Sequence, residues 1–178
     1  MSTQAENPGK VKFSYKKYYS FRNRIGTTFG GRFHADMCID FVSRALCYGD
    51  TQPALVTSLS PLTIAAYSDE IDGVLMLRFP DEFVDKFNLY SGMRLTTSNV
   101  YFRYEEFPDD IMVGENFSRS YNDFLPIVQL FIGKNDKKIM EKTELFGEDV
   151  WKRVEACAAL YTEKHPDLYR DGFYYFKK

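Results

Sequence analysis

Between Gly26 and Asp36 the sequence reads GTTFGGRFHAD, gathering glycines, an arginine, a histidine and an aspartate in one short stretch. Glycine backbone N–H groups at the start of a helix approach an anion closely, and an arginine fork pairs with it. Gly26 and Gly31 stand where a phosphate loop, G-x-x-x-x-G-K-[ST], has its glycines. Arg32 replaces the lysine of that pattern, and Phe33 replaces the hydroxyl that holds magnesium. Nucleotide hydrolysis is therefore not expected. The stretch reads either as a looser anion site over Gly30, Gly31, Arg32, His34 and Asp36, or as a strand-to-helix corner whose glycines take positive φ.

His34 and Cys38 are spaced i, i+4, which on a helix sets both over one patch, with Cys157 and His165 available from a later helix to complete a zinc set or a Cys–His nucleophile. Cys38 and Cys157 both fall on apolar stripes, where a free thiol behaves as a small hydrophobe, and no C-x-x-C knuckle accompanies them. Neither a metal nor a cofactor is expected. The acidic turn SDEIDG fails as a calcium loop, because aligning Gly73 with its sixth position puts Phe79 where a bidentate carboxylate belongs, so it reads as a solvated hairpin tip. Glu105, Glu106, Asp109 and Asp110 are types that paired acid–base catalysis uses, but neighbouring carboxylates in a proline-containing loop read as solvated. No G-x-S-x-G occurs. Tyr15, Tyr18, Tyr19 and Phe21 alternate with Lys16, Lys17, Arg22 and Arg24 in a pattern that suits a protein-facing surface better than base stacking.

With 178 residues, the chain is long enough to bury one core, and 27% charged with 44% hydrophobic residues suits a globular fold. The net charge of −2 gives no electrostatic case for nucleic-acid binding, although Lys10, Lys12, Lys16, Lys17, Arg22, Arg24 and Arg32 make the first part locally basic, as lysines protecting an edge strand would. Three cysteines without close pairing point to a reducing cytoplasm. MSTQAENPGK lacks the apolar stretch of a secretory signal, and no apolar run is long enough to cross a bilayer.

The elements that would position these residues follow from periodicity. Residues 1–9 read as a flexible tail and 10–178 as one α+β domain, a mostly antiparallel sheet packed against three to four helices. Alternation in VKFSYKKYY predicts a strand from Val11. Met37, Cys38, Phe41, Val42, Ala45 and Leu46 predict the inward stripe of a helix that stops at Gly49. PALVTSL, PLTIAAY and GVLMLRFP predict a meander with both faces covered and a hairpin across Ser68 to Gly73. Asp81 is placed to cap a short helix with Phe83, Val84 and Phe87 inward, and MRLTTSNVYFRYEEF alternates as a further strand. A long loop follows over 108–123, where function often sits. Periodicity leaves residues 124–132 open between strand and helix, with strand preferred. Helices are expected over Asn135 to Thr143 and over Glu148 to Lys164, and FYYF reads as a terminal strand.

Because each enzymatic pattern is incomplete, the expectation is a cytoplasmic, non-catalytic binding protein that meets a protein partner, itself included, through a Tyr/Arg-rich surface, or meets a small anionic ligand. The alternative is a small enzyme with a nonstandard site around Arg32, His34 and Asp36.

Overall fold

Residues 5–177 are described in the computed structural model. Three consecutive strands, β1 (Asp50–Leu59), β2 (Leu62–Ser68) and β3 (Gly73–Arg78), form the expected meander. On the outer side of β1 lies β4 (Arg94–Phe102), followed by β5 (Asp123–Val128), and a two-residue β6 (Arg170–Asp171) closes the other edge, giving the order β5-β4-β1-β2-β3-β6. Every pairing is antiparallel except β3 with β6. The α+β class with a mostly antiparallel sheet is thus what the chain adopts.

Alternate residues of the meander serve two separate cores. Ala54, Val56, Ile64, Ala66, Leu75 and Leu77 face one side. Leu55, Ala65, Tyr67, Val74 and Met76 face the other, where the helix α7 (Glu148–Lys164) covers them with Val154, Cys157, Ala158 and Tyr161. Near-continuous apolarity in these strands therefore reflects a sheet buried on both faces.

The first face carries the remaining helices, which outnumber the three to four expected because several span barely one turn: α1 (Tyr15–Ile25), α2 (Phe29–Met37), α3 (Ile39–Tyr48), α4 (Phe83–Lys86), α5 (Gln129–Ile132) and α6 (Asp136–Glu141). The predicted strand from Val11 is instead mostly α1. Ser14 caps it by accepting the Lys17 N–H (3.4 Å), and Tyr18, Phe21 and Ile25 recur on its buried side, so helical spacing overrides the short alternation before it. Of the segment read as a tail, residues 1–4 lie outside the described residues, whereas Gly9 N–H donates to the Gly49 carbonyl (2.9 Å) and Pro8 bridges Asp50.

Further expectations are corrected locally. Asp81 does not cap α4 with its side chain; its carboxylate accepts the Leu62 N–H (2.8 Å) and tethers the β1–β2 turn. Residues 124–132 are both alternatives in succession, with the switch at Gln129. That fully buried side chain accepts from Thr96 Oγ1 (3.2 Å) and donates to Ser98 Oγ (3.0 Å), so the chain turns where its amide is captured. FYYF is not a strand: Asp171 accepts the Phe173 N–H (2.8 Å), turning the chain into a 3₁₀ turn at Tyr174–Phe176.

Phe21, Phe79, Phe83, Phe87, Phe131 and Phe173 meet at the centre of this face. Phe83 lies 5.4 Å from Phe21, 5.1 Å from Phe87 and Phe131, and 5.7 Å from Phe173 between ring centroids. Gly172 lets the chain pass against Phe79, since a Cβ there would fall 2.2 Å from its ring. Phe83→Ala is expected to lower the unfolding free energy by about 3–5 kcal/mol, as deep aromatic truncations do. Urea titration followed by circular dichroism measures it, and a loss under about 1 kcal/mol would place the ring outside the core.

Candidate functional site

Gly30 and Gly31 are not corner glycines; both sit inside α2, and the only described glycine with positive φ is Gly92. Gly26 is required for another reason, because a Cβ on it would lie 2.5 Å from the Arg32 nitrogen. Thr28 caps α2 by accepting the Gly31 N–H (3.0 Å), which engages one of the amides an anion would use. From that helix the predicted residues turn to different neighbours. Arg32 donates to the Thr27 carbonyl (3.3 Å), and His34 Nε2 lies 3.8 Å from Cys38 Sγ. Asp36 accepts from Tyr18 Oη (2.7 Å), from Arg22 Nε (2.8 Å) and from Arg22 Nη2, an arrangement that fastens α2 to α1. Among the described residues, no ion pair joins Arg32 to Asp36.

The electrostatics match a structural clamp. Bonding to Arg22 holds the Asp36 carboxyl below its usual range, burial opposes this, and the Tyr18 hydroxyl reinforces it. Burial, followed by the bond to Asp36, raises the Tyr18 phenol. Burial also raises the Cys38 thiol, so its environment disfavours the thiolate that a nucleophile needs. Cys38 packs against the first core and Cys157 belongs to the second, so the sheet stands between two of the four residues that a zinc set would need. Among the described residues, no group of three or more His, Cys, Asp and Glu is arranged to hold a metal ion.

What α2 does present is hydrophobic. It runs into α3 through Cys38, whose backbone keeps right-handed helical angles (φ −79°, ψ −9°). The inward side uses the small residues Ala35 and Ala45 with Val42 and Leu46, which let the helices lie close to the core. Met37 and Phe41, expected on that inward stripe, instead face solvent. Phe29, Phe33 and Met37 on α2 are 81%, 60% and 66% exposed and Phe41 and Tyr48 on α3 are 41% and 71% exposed, at spacings of four and four on the first helix and seven on the second that keep each set on one side of its helix. The repeating F-x-x-x-F-x-x-x-M-x-x-x-F was visible as a signal; which side it faced was not.

Concave sites lie elsewhere. A cavity of about 850 Å³ lies between residues 9–12 on one side and residues 134–135, 138–139, 141–142 and 144–145 on the other, one of about 300 Å³ lies beside Asp72 and Arg153, and one of about 250 Å³ is walled by Cys38, Phe41, Tyr104 and Tyr175. None of them is lined by Arg32, His34 or Asp36. The hairpin tip read as solvated is partly interior: Asp72 is 3% exposed and bonds Arg153 Nη2 (2.6 Å), Tyr67 Oη (2.9 Å) and the Asn116 N–H (2.9 Å). Burial pushes its carboxyl up, but Arg153, Asn116 and Tyr67 outweigh that and bring it down to about 2. Of the acidic loop residues, Asp110 pairs with the half-buried Arg170, which also holds the buried Asp123.

No family model matches the chain, nor does any curated protein or solved structure. Among the described residues, no helix is long and apolar enough to cross a membrane.

Asp36→Asn is expected to lower the thermal midpoint by a few degrees at pH 7. Since the folded-state carboxyl lies below its unfolded value of about 3.9, the wild-type advantage is full above that value and disappears as pH falls through the folded value. Melting curves from pH 7 down to pH 2.5, taken as about the lower limit of two-state behaviour, would show the gap closing in acid; a constant gap would mean that Asp36 acts only through packing.

Proposed function

We propose that this chain is a non-catalytic binding protein whose α2–α3 face is its docking surface, and that the occupant of that face is a second copy of the chain. One observation carries the reading: Phe29, Phe33, Met37, Phe41 and Tyr48 are turned outward along one face. At about 200 Å² for each side chain, their exposed parts amount to roughly 600 Å², at the upper end for the largest patch on a monomer. That is most of the ~800 Å² that each partner contributes to a standard interface.

Self-complementary charge favours a second copy over an unrelated protein. Asp40 and Arg44 are exposed on α3 beside this face and carry opposite signs. Two such helices packed antiparallel about a two-fold axis near Phe41 would bring Asp40 against the partner's Arg44, and Met37 against the partner's Tyr48. The remaining aromatic anchors, Phe29 and Phe33, extend the contact along α2. The enzymatic alternative would need Arg32, His34 and Asp36 to converge on one concavity. Asp36 is instead engaged by Arg22 and Tyr18, and Arg32 by Thr27.

Sedimentation equilibrium is expected to give twice the chain mass, and Phe33→Glu with Met37→Glu to give the monomer with an unchanged fold, because both residues are exposed. Asp40→Arg and Arg44→Asp should each weaken the dimer by about tenfold and together restore it. A monomer at about 100 μM, well above the concentrations where most specific homodimers form, would overturn the reading.

A further inference from the structure

Of the three cavities described above, the roomiest is lined by lysines. Lys10, Lys12, Lys134, Lys138 and Lys142 surround a space of about 850 Å³, with Glu141 and Glu144 the carboxylates on its wall and Val11, Ile139 and Leu145 its apolar surfaces. Ammonium groups thus exceed carboxylates there, in a chain whose overall charge is −2. Among the described residues, none of these lysines forms an ion pair: Lys17 and Lys177 take the lysine pairs that occur. Lys142 donates to the Gly9 carbonyl instead. Burial lowers its ammonium pKa, and the charge of Lys10 lowers it further.

The backbone that carries these cations is held firmly. Lys10 sits at φ 51°, an uncommon conformation for a side-chain-bearing residue, and is fixed there by its N–H to the Cys47 carbonyl (2.8 Å) and by Val11 N–H to the Leu46 carbonyl (3.2 Å). Lys134 N–H donates to the Lys12 carbonyl (2.8 Å), and Phe13 bridges Gly133, which ties the two walls together. Asn135, at φ 69°, caps the turn bearing Lys138 by accepting its N–H (3.2 Å). Like charges gathered in a fixed concavity repel one another, and an anion placed among them relieves that repulsion.

We propose that this cavity binds a small organic molecule carrying two or more phosphate groups. Its volume lies within the ~300–1,000 Å³ usual for small-molecule sites. Ammonium groups on flexible stems suit phosphate oxygens as point charges, while the exposed Leu145 offers contact to an organic body. A nucleic acid would need a basic surface extending along the molecule, which an overall charge of −2 works against.

The test is calorimetric titration of the full chain at low ionic strength with ATP as probe, alongside sodium tripolyphosphate, sodium sulfate and a single-stranded oligothymidylate. ATP or tripolyphosphate is expected to bind, with affinity falling as salt rises, and sulfate to bind at least about tenfold more weakly. Lys12→Ala with Lys138→Ala should weaken binding by about tenfold or more, whereas the two arginine replacements should retain it within about threefold. Lys152→Ala with Lys164→Ala on α7 is the charge-matched control and should change nothing. Melting temperatures of all variants are measured first, so that a lost signal reports the cavity and not the fold. Phe33→Glu with Met37→Glu should leave ATP binding intact, which separates this site from the α2–α3 face. Absence of binding at millimolar ATP and tripolyphosphate, equal weakening by the control pair, sulfate binding as tightly as ATP, or tighter binding of the oligonucleotide would each overturn the proposal.

Discussion

Aromatic rings from distant parts of the chain have to share one small volume under the sheet. Phe21 comes from α1, Phe79 from the end of β3, Phe83 and Phe87 from α4 and its end, Phe131 from α5 and Phe173 from near the C-terminus. None of the one-turn helices that supply these rings has enough internal hydrogen bonding to be stable alone. Their direction is set by the ring each must deliver, and with it the path of the N-terminal segment, the turn after β3 and the final turn of the chain.

Polar links fix what apolar contact leaves free to slide. Gln129 reaches the backbone and hydroxyls of β4 from the point where β5 becomes α5. On the far edge Arg170 joins Asp110 and Asp123 and also donates to the Phe124 carbonyl (3.2 Å), so β5, the long loop and the chain end meet at one cation. Asp72 does the equivalent for the second face, binding α7 through Arg153 and the loop through Asn116. Buried charges of this kind tolerate few alternative packings, because any misplacement leaves a charge without its partner.

The exposed features follow from the same constraints. Small residues on the inner side of α2 and α3 satisfy the core, so the large residues at four-residue spacing are left at the surface. The lysines of the basic N-terminal stretch are not spread along an edge strand. Lys10 and Lys12 turn into a concavity completed by residues far along the chain, while Lys17 binds Asp136 and the Leu130 carbonyl. An apolar face and a cationic cavity thus come from neighbouring stretches of sequence that fold into different surroundings.

Local pattern was sufficient for the meander from Pro53 to Phe79, the Ser68–Gly73 hairpin, the stop at Gly49 and the whole of α7, because there period and punctuation agree over a long enough window. The α+β class was legible for the same reason. Where two local readings competed, tertiary contact decided. Tyr18, Phe21 and Ile25 made a helix of a predicted strand by packing inward, Gln129 converted strand into helix by finding hydroxyls on β4, and Asp171 bent FYYF out of line. The proposed interaction face and the cavity were legible only as residue types. A spacing of four says that side chains share a face, and lysines say that charge is present. Which face meets the core, and which lysines share a space, depends on residues far away in the chain, and only folding brings those together.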